Sequence, residues 1–174
     1  APTRLLLAAV SSVPTHLVAT VRVLPKERNW LRFPWYSAAQ GGGAFLLGDR
    51  IYADRWFFTS THAVPFLFLL AHEVGHLRHA ERFGRTGLGR ARFVTWAAGH
   101  YLRSAIMHGQ HAHRLSRIEQ EAERGRWVLR ELLQRSASDP LLAHLDDEAG
   151  MQRWLTRNAG LLARLHGDYP GWKV

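Results

Sequence analysis

Apolar residues change their rhythm partway along this chain. Thr3–Ser12 carries Leu5, Leu6, Leu7 and Val10 at helical spacing, with Pro2 suited to a first turn. After Pro14, the segment Leu17–Leu24 (LVATVRVL) is β-branched and partly alternating, which predicts a strand. Pro25–Ala39 has no period but is rich in aromatics, among them Trp30, Phe33, Trp35 and Tyr36, and Gly41–Gly43 predicts a turn. Phe45–Ala53 reads as a hairpin around Gly48-Asp49, and Trp56–Thr59 as a further short strand. From Val64 the pattern is helical. It predicts one helix capped near Thr61 or His62 and running to Phe83, a second over Ala91–Met107 and a third over Arg114–Arg135. A polar, histidine-rich stretch, His108–His113, separates the last two. Ser138-Asp139-Pro140 is a break, and Leu141–Leu145 and Glu148–His166 supply one or two closing helices. Phe66, Leu67, Leu69, Leu70 and Val74 are the expected core of the first long helix, with Trp127 and Leu132 packing from the third. Strands first and helices afterwards predict an α+β fold: a small N-terminal β-sheet followed by a mostly helical C-terminal half.

Composition narrows the possibilities. A length of 174 residues predicts a single domain spanning 1–174, large enough to bury a core without staples. Apolar residues at 47% and charged residues at 21% are soluble, globular values. No apolar run reaches the roughly 20 residues of a membrane span, and Leu5–Val10 is too short for a secretory signal. With no cysteine, disulfide scaffolds, thiol catalysis and cysteine-bound zinc are excluded. The formal net charge of +9 predicts attraction to anionic surfaces. Nucleic acid is nonetheless not the expected partner, because 21 arginines beside 2 lysines read as compositional bias.

The chemistry lies in His72-Glu73-Val74-Gly75-His76. On a helix, residues four apart share a face, so both imidazoles can reach one metal ion. Glu73 lies about 100° round from His72, beside such an ion, where a carboxylate can act as general base on a zinc-bound water. Random ordering of these residues would give roughly 0.03 matches to this pattern, so the motif is informative. Gly75, a poor helix former, reads as close packing beside the site. A third ligand is needed for a catalytic zinc site. A third histidine ten residues after the first is ruled out, because that position is Arg82, and His79 stands where a glycine would be expected. The later segment Ser116–Arg124 offers Glu119 and Glu123, again four apart: Glu119 could bind zinc while Glu123 accepts the second ring N–H of a ligand histidine. Glu121, on the opposite side of that helix, is expected to face solvent or an ion pair. Glu121, His100, His108, His111 and His113 remain alternative ligands. His113, His111, Tyr101 and Arg117 are candidates to stabilise developing negative charge.

H-E-x-x-H followed by Glu119-x-x-Ala122-Glu123 resembles the gluzincin metallopeptidases. The resemblance implies a zincin-like fold, one Zn2+ per chain, Glu119 as third ligand and Glu123 as the carboxylate supporting a histidine. The stretch before the helix, GGGAFLLGDRIYADRW, is similar to the small metallopeptidase domains of bacterial polymorphic toxins and injection-system cargo, and the likeness extends over about 41–135. It implies a protein or peptide substrate and delivery by a bacterial secretion system. Two other functions are compatible with the residues: a basic interaction module with structural zinc or none, and a zinc amidase acting on a non-protein amide such as cell wall.

Overall fold

The computed structural model describes residues 1–26, 43–59, 63–136 and 139–171. Helix α1 spans Pro2–Val10, with the proline in its first turn, and α2 is a short helix over Thr15–Ala19. Three strands follow: β1 (Arg22–Pro25), β2 (Ala44–Leu47) and β3 (Arg50–Ala53). The helical half contains α3 (Ala63–Gly75), α4 (Leu77–Glu81), α5 (Gly87–His108), α6 (Ala112–Leu115), α7 (Arg117–Arg135), α8 (Glu148–Arg157) and α9 (Ala159–Asp168). The fold is α+β, with a small N-terminal-side sheet followed by helices.

The sheet has the order β1-β3-β2. β1 runs parallel to β3 with Val23 opposite Ile51, and β2 runs antiparallel to β3 with Leu46 opposite Ile51. The hairpin forms where the glycine predicts it. Gly48 takes φ +65°, a conformation side chains other than glycine's seldom adopt, and Asp49 beside it accepts a 2.8 Å hydrogen bond from Arg90 of α5.

Several expected elements come out differently. The predicted strand over Leu17–Leu24 begins only at Arg22, because Leu17 and Val18 turn inward on α2 and are buried. Hydrophobic burial thus overrides β-propensity. Trp56–Thr59 is not a strand: Arg55–Phe58 forms a 3-10 turn in which Phe57 is buried and stacks on Phe66. The helix expected to reach Phe83 is interrupted at His76. The second helix starts earlier than expected, at Gly87, capped by Thr86 Oγ1 accepting from Gly89 N at 3.1 Å. The histidine-rich stretch is partly helical, and a break at Ser116 separates α6 from α7. Leu141–His144 is a 3-10 turn, and the closing segment divides into two helices at Asn158. Trp30, Phe33, Trp35, Tyr36, Gly41, Gly42, Thr61, His62 and Ser138 lie outside the described residues.

One hydrophobic cluster joins α1, the sheet, α3, α7, α8 and α9. Leu6, Ile51, Val128, Leu129, Leu132, Met151 and Trp154 are fully buried in it, and Trp154 Nε1 donates to Asp139 O at 2.9 Å. Of the expected core, Leu67, Leu69, Leu70, Val74 and Leu132 are buried, while Phe66 and Trp127 are partly so.

Helices α3 and α7 cross where their side chains are smallest. A Cβ added at Gly75 would lie 2.7 Å from Ala122 Cα, and one at Gly125 would lie 2.6 Å from Ala71 O. Backbone meets backbone along this seam, so functional side chains on the two helices can touch. Ser11, at the end of α1, donates from Oγ to Ala71 O at 2.7 Å and ties the first helix to the turn before His72.

Candidate metal centre

Helix α3 brings His72 and Glu73 into the protein, and its last turn tightens so that His76 N donates to Glu73 O at 3.2 Å. His76 occupies the junction between α3 and α4 with helical angles. The two imidazoles remain neighbours through this break, their ring centres 5.1 Å apart and nearly perpendicular.

Helix α7 contributes the facing side. Ile118, Ala122, Gly125, Leu129 and Leu132 form its buried stripe, and Glu119 and Glu123 share that face. Two carboxylates on a helix stripe that otherwise buries apolar groups require compensation. Glu119 is 2% exposed. Its Oε1 lies 3.6 Å from His76 Nε2 and accepts a hydrogen bond from the Tyr101 hydroxyl of α5. Its Oε2 lies 3.2 Å from His72 Nε2 and 3.7 Å from His113 Nε2, yet accepts no well-directed hydrogen bond. Glu123 Oε2 is 3.1 Å from His72 Nδ1, and Arg126 grips the same carboxylate, with Nε 2.8 Å from Oε1.

His72, His76 and Glu119 could therefore hold a metal ion, since one ligand atom from each lies within 4.8 Å of the others. A buried carboxylate oxygen without a good donor is costly, and a cation seated among these atoms would satisfy it. Among the described residues no second group of three such side chains comes together.

Electrostatics agree with a site shared by competing cations. Burial alone would lower the His72 pKa, but its contacts with the Glu119 and Glu123 carboxylates outweigh this and raise it to about 10. Burial pushes the His76 imidazole down to about 4, so it is neutral near pH 7 and ready to act as a ligand. Burial opposes ionisation of Glu119, but His72 and His76 prevail and keep its carboxyl far below the usual carboxylate range. Glu123 is also lowered, burial being outweighed by His72 and Arg126. Burial pushes the Glu73 carboxyl up to about 7, although neighbouring His72 opposes the shift.

The remaining candidates separate cleanly. Tyr101 and His113 both reach Glu119, and their rings stack at 5.7 Å. His111 is exposed beside Gln110, and Arg117 is exposed and pairs with Glu121 at 2.7 Å. Glu121 is not among the partners of His72 and His76 and pairs instead with Arg117 and with His79 Nε2 at 3.1 Å. His100 packs edge-on against Trp96, and His108 closes α5. The sequence reading did not single out Arg126 or Ser11. Arg126 is signalled only by its i,i+3 spacing from Glu123, and nothing in the sequence near Ser11 marks its contact. Compared with known protein families, curated proteins and solved structures, the chain matches none.

Proposed function

We propose that this protein is a zincin-like, zinc-dependent metallopeptidase that holds one zinc ion per chain through His72, His76 and Glu119. The observation that carries this reading is the meeting of an i,i+4 histidine pair with a buried carboxylate whose Oε2 lacks a good hydrogen bond. Two nitrogens and one oxygen suit zinc and leave a tetrahedral ion one position short. Zinc bound there would supply a Lewis acid, polarising a scissile carbonyl and making water easier to deprotonate.

The chain's own groups account for the proton movements. Glu73 is 5% exposed and next to His72. It takes a proton from the attacking water as the new C–O bond forms, and delivers it to the amine nitrogen as the C–N bond breaks. Burial raises the Glu73 carboxyl above the usual carboxylate range, which favours its holding the proton between the two transfers. Glu123, held by Arg126, accepts the Nδ1 proton of His72 and leaves Nε2 for the metal. Tyr101 and His113, both beside Glu119, are placed to donate to the carbonyl oxygen as it gains charge. Strand β2, an edge of the described sheet packed on α3, offers a line along which an extended peptide substrate adds.

The test pairs metal analysis of the purified protein with a proteome-wide cleavage screen of wild type against Glu73→Gln. Both proteins should contain about one zinc, and new peptide termini should arise only with the wild type. Zinc in the wild type without any cleavage would mean a structural metal and would overturn the peptidase reading.

A further inference from the structure

Helix α5 is apolar on its outward face as well as where Phe93 and Trp96 pack inward against Phe83. Its inner side carries Tyr101, His100 and Ser104, the last donating to Ala112 O at 2.6 Å, and of its 22 residues only Gly89, Phe93 and Ser104 are buried. Its outer side is apolar. Leu88, Leu102 and Ile106 are 64%, 64% and 79% exposed, and Val94 is 48% exposed. At ~100° per residue these four, with Ala91 and Ala98 between them, fall within roughly 120° of arc. That makes an apolar ridge about 27 Å long from Leu88 to Ile106 at 1.5 Å per residue. Isolated exposed leucines are ordinary, whereas a continuous apolar helix face marks a contact surface.

Charge indicates what meets it. From Arg82 to Ile118 the chain has seven arginines and no Asp or Glu. Arg92 and Arg103 flank the ridge on one side. Both are exposed and, among the described residues, neither forms an ion pair. A second copy docked ridge to ridge would bring arginine rims together, which like-charge repulsion opposes. Along the ridge the large side chains are separated by Ala91, Ala98 and Thr95, whose hydroxyl is turned back to donate to Ala91 O at 3.1 Å. A soft, anionic, apolar-cored surface fits all of these features.

We infer that α5 is a membrane-surface helix: its Leu88–Ile106 ridge inserts into the outer part of an anionic phospholipid leaflet while Arg92 and Arg103 contact the headgroups. No described helix is long and apolar enough to cross a bilayer, so the helix lies in the interface plane. The inference is independent of the chemistry at His72 and His76.

Vesicle flotation of the full chain tests it, using vesicles of phosphatidylcholine alone and vesicles with about one quarter phosphatidylglycerol. The protein should partition at least ~10-fold more strongly onto the anionic vesicles, and high salt should weaken that binding. The double substitution Leu102→Asn with Ile106→Asn keeps every charge and touches no core residue. It should reduce binding by ~10-fold or more, because the apolar contribution is removed. Arg92→Glu with Arg103→Glu should abolish the preference for phosphatidylglycerol. Wild type that ignores anionic vesicles, or an Asn variant that binds them undiminished, overturns the inference. So does a concentration-dependent dimer in sedimentation that the Asn variant loses, which would assign the ridge to a second copy.

Discussion

Glu123 Oε2 lies 3.1 Å from His72 Nδ1, on the side of the ring away from Glu119, which faces Nε2 at 3.2 Å. One imidazole thus sits between two carboxylates of the same helix, and the two have different tasks. In the proposed site a metal would replace the proton on Nε2, while Glu123 would keep the proton on Nδ1.

The distinction is measurable by chelator competition. Removing a ligand from a three-ligand site should leave Glu119→Gln close to metal-free, as should His72→Ala and His76→Ala. Glu123→Gln should still bind zinc, about 10–100-fold more weakly. Glu121→Gln should bind like the wild type, since Glu121 serves Arg117 and His79. A ranking with Glu121→Gln as the most damaged would mean that the site is built from a different face of α7.

Metal uptake should expel protons in a pH-dependent way. In the metal-free protein His72 is protonated up to about pH 10, and zinc requires it neutral. At pH 8, above the Glu73 value of about 7, binding should release about one proton per zinc. Affinity should rise with pH toward that upper limit, by about tenfold per unit. The sign for folding is opposite: a raised histidine pKa stabilises the metal-free fold below its unfolded value of 6.5, and this contribution fades as pH rises through about 10. Calorimetry in two buffers of different ionisation heat counts the protons, and a count of zero would contradict the charge state assigned to His72.

Glu73→Gln should retain zinc and fold while losing at least ~10²-fold in turnover, because it removes a base and not a ligand. Loss of zinc in this variant would place Glu73 among the ligands instead.

Tyr101→Phe removes one hydroxyl from Glu119 Oε1. Zinc content should persist and kcat should fall more than KM rises, as expected for a group that acts on developing charge. A variant altered in KM alone would make Tyr101 a substrate-binding residue.

Gly75→Val tests the seam. Its Cβ would lie 2.7 Å from Ala122 Cα, with backbone on the far side, so α7 must move outward. Overpacking of this kind costs about 1–3 kcal/mol. Chemical denaturation should show that loss, and chelator competition should show weaker zinc binding even though no ligand is altered.

The α+β class and the meeting of His72, His76 and Glu119 were both legible in sequence, and the packing details were not. His72 with His76 and Glu119 with Glu123 each follow from i,i+4 spacing, which α7 keeps throughout and which the helical angles at His76 preserve across the α3–α4 junction. Gly75 announced the close crossing because glycine is conspicuous inside a helix, and Gly125 plays the same part on α7. Tyr101 and His113 could be grouped with His111 and Arg117 but not ranked, because their selection depends on how α5 and α6 pack on α7. The pairing of β1 with β3 was hidden, since parallel register has no local signature. Leu17 and Val18 misled because β-branched and apolar character serves a buried helix as well as a strand.

The α3–α7 seam also governs which ions could be accepted. Ala71, Gly75, Ala122 and Gly125 leave no side chain at the crossing to compress or swing aside. The spacing of the two helices that carry the imidazoles and Glu119 is therefore set by backbone contact, and a cation bound there would have little room to spread them. Ions that bond nitrogen at about 2.0–2.1 Å suit such a template. Calcium, which gathers six to eight oxygens through adaptable loops, finds one carboxylate and a fixed frame. In the proposed site, selectivity by size and donor type would thus rest on four of the smallest residues in the protein.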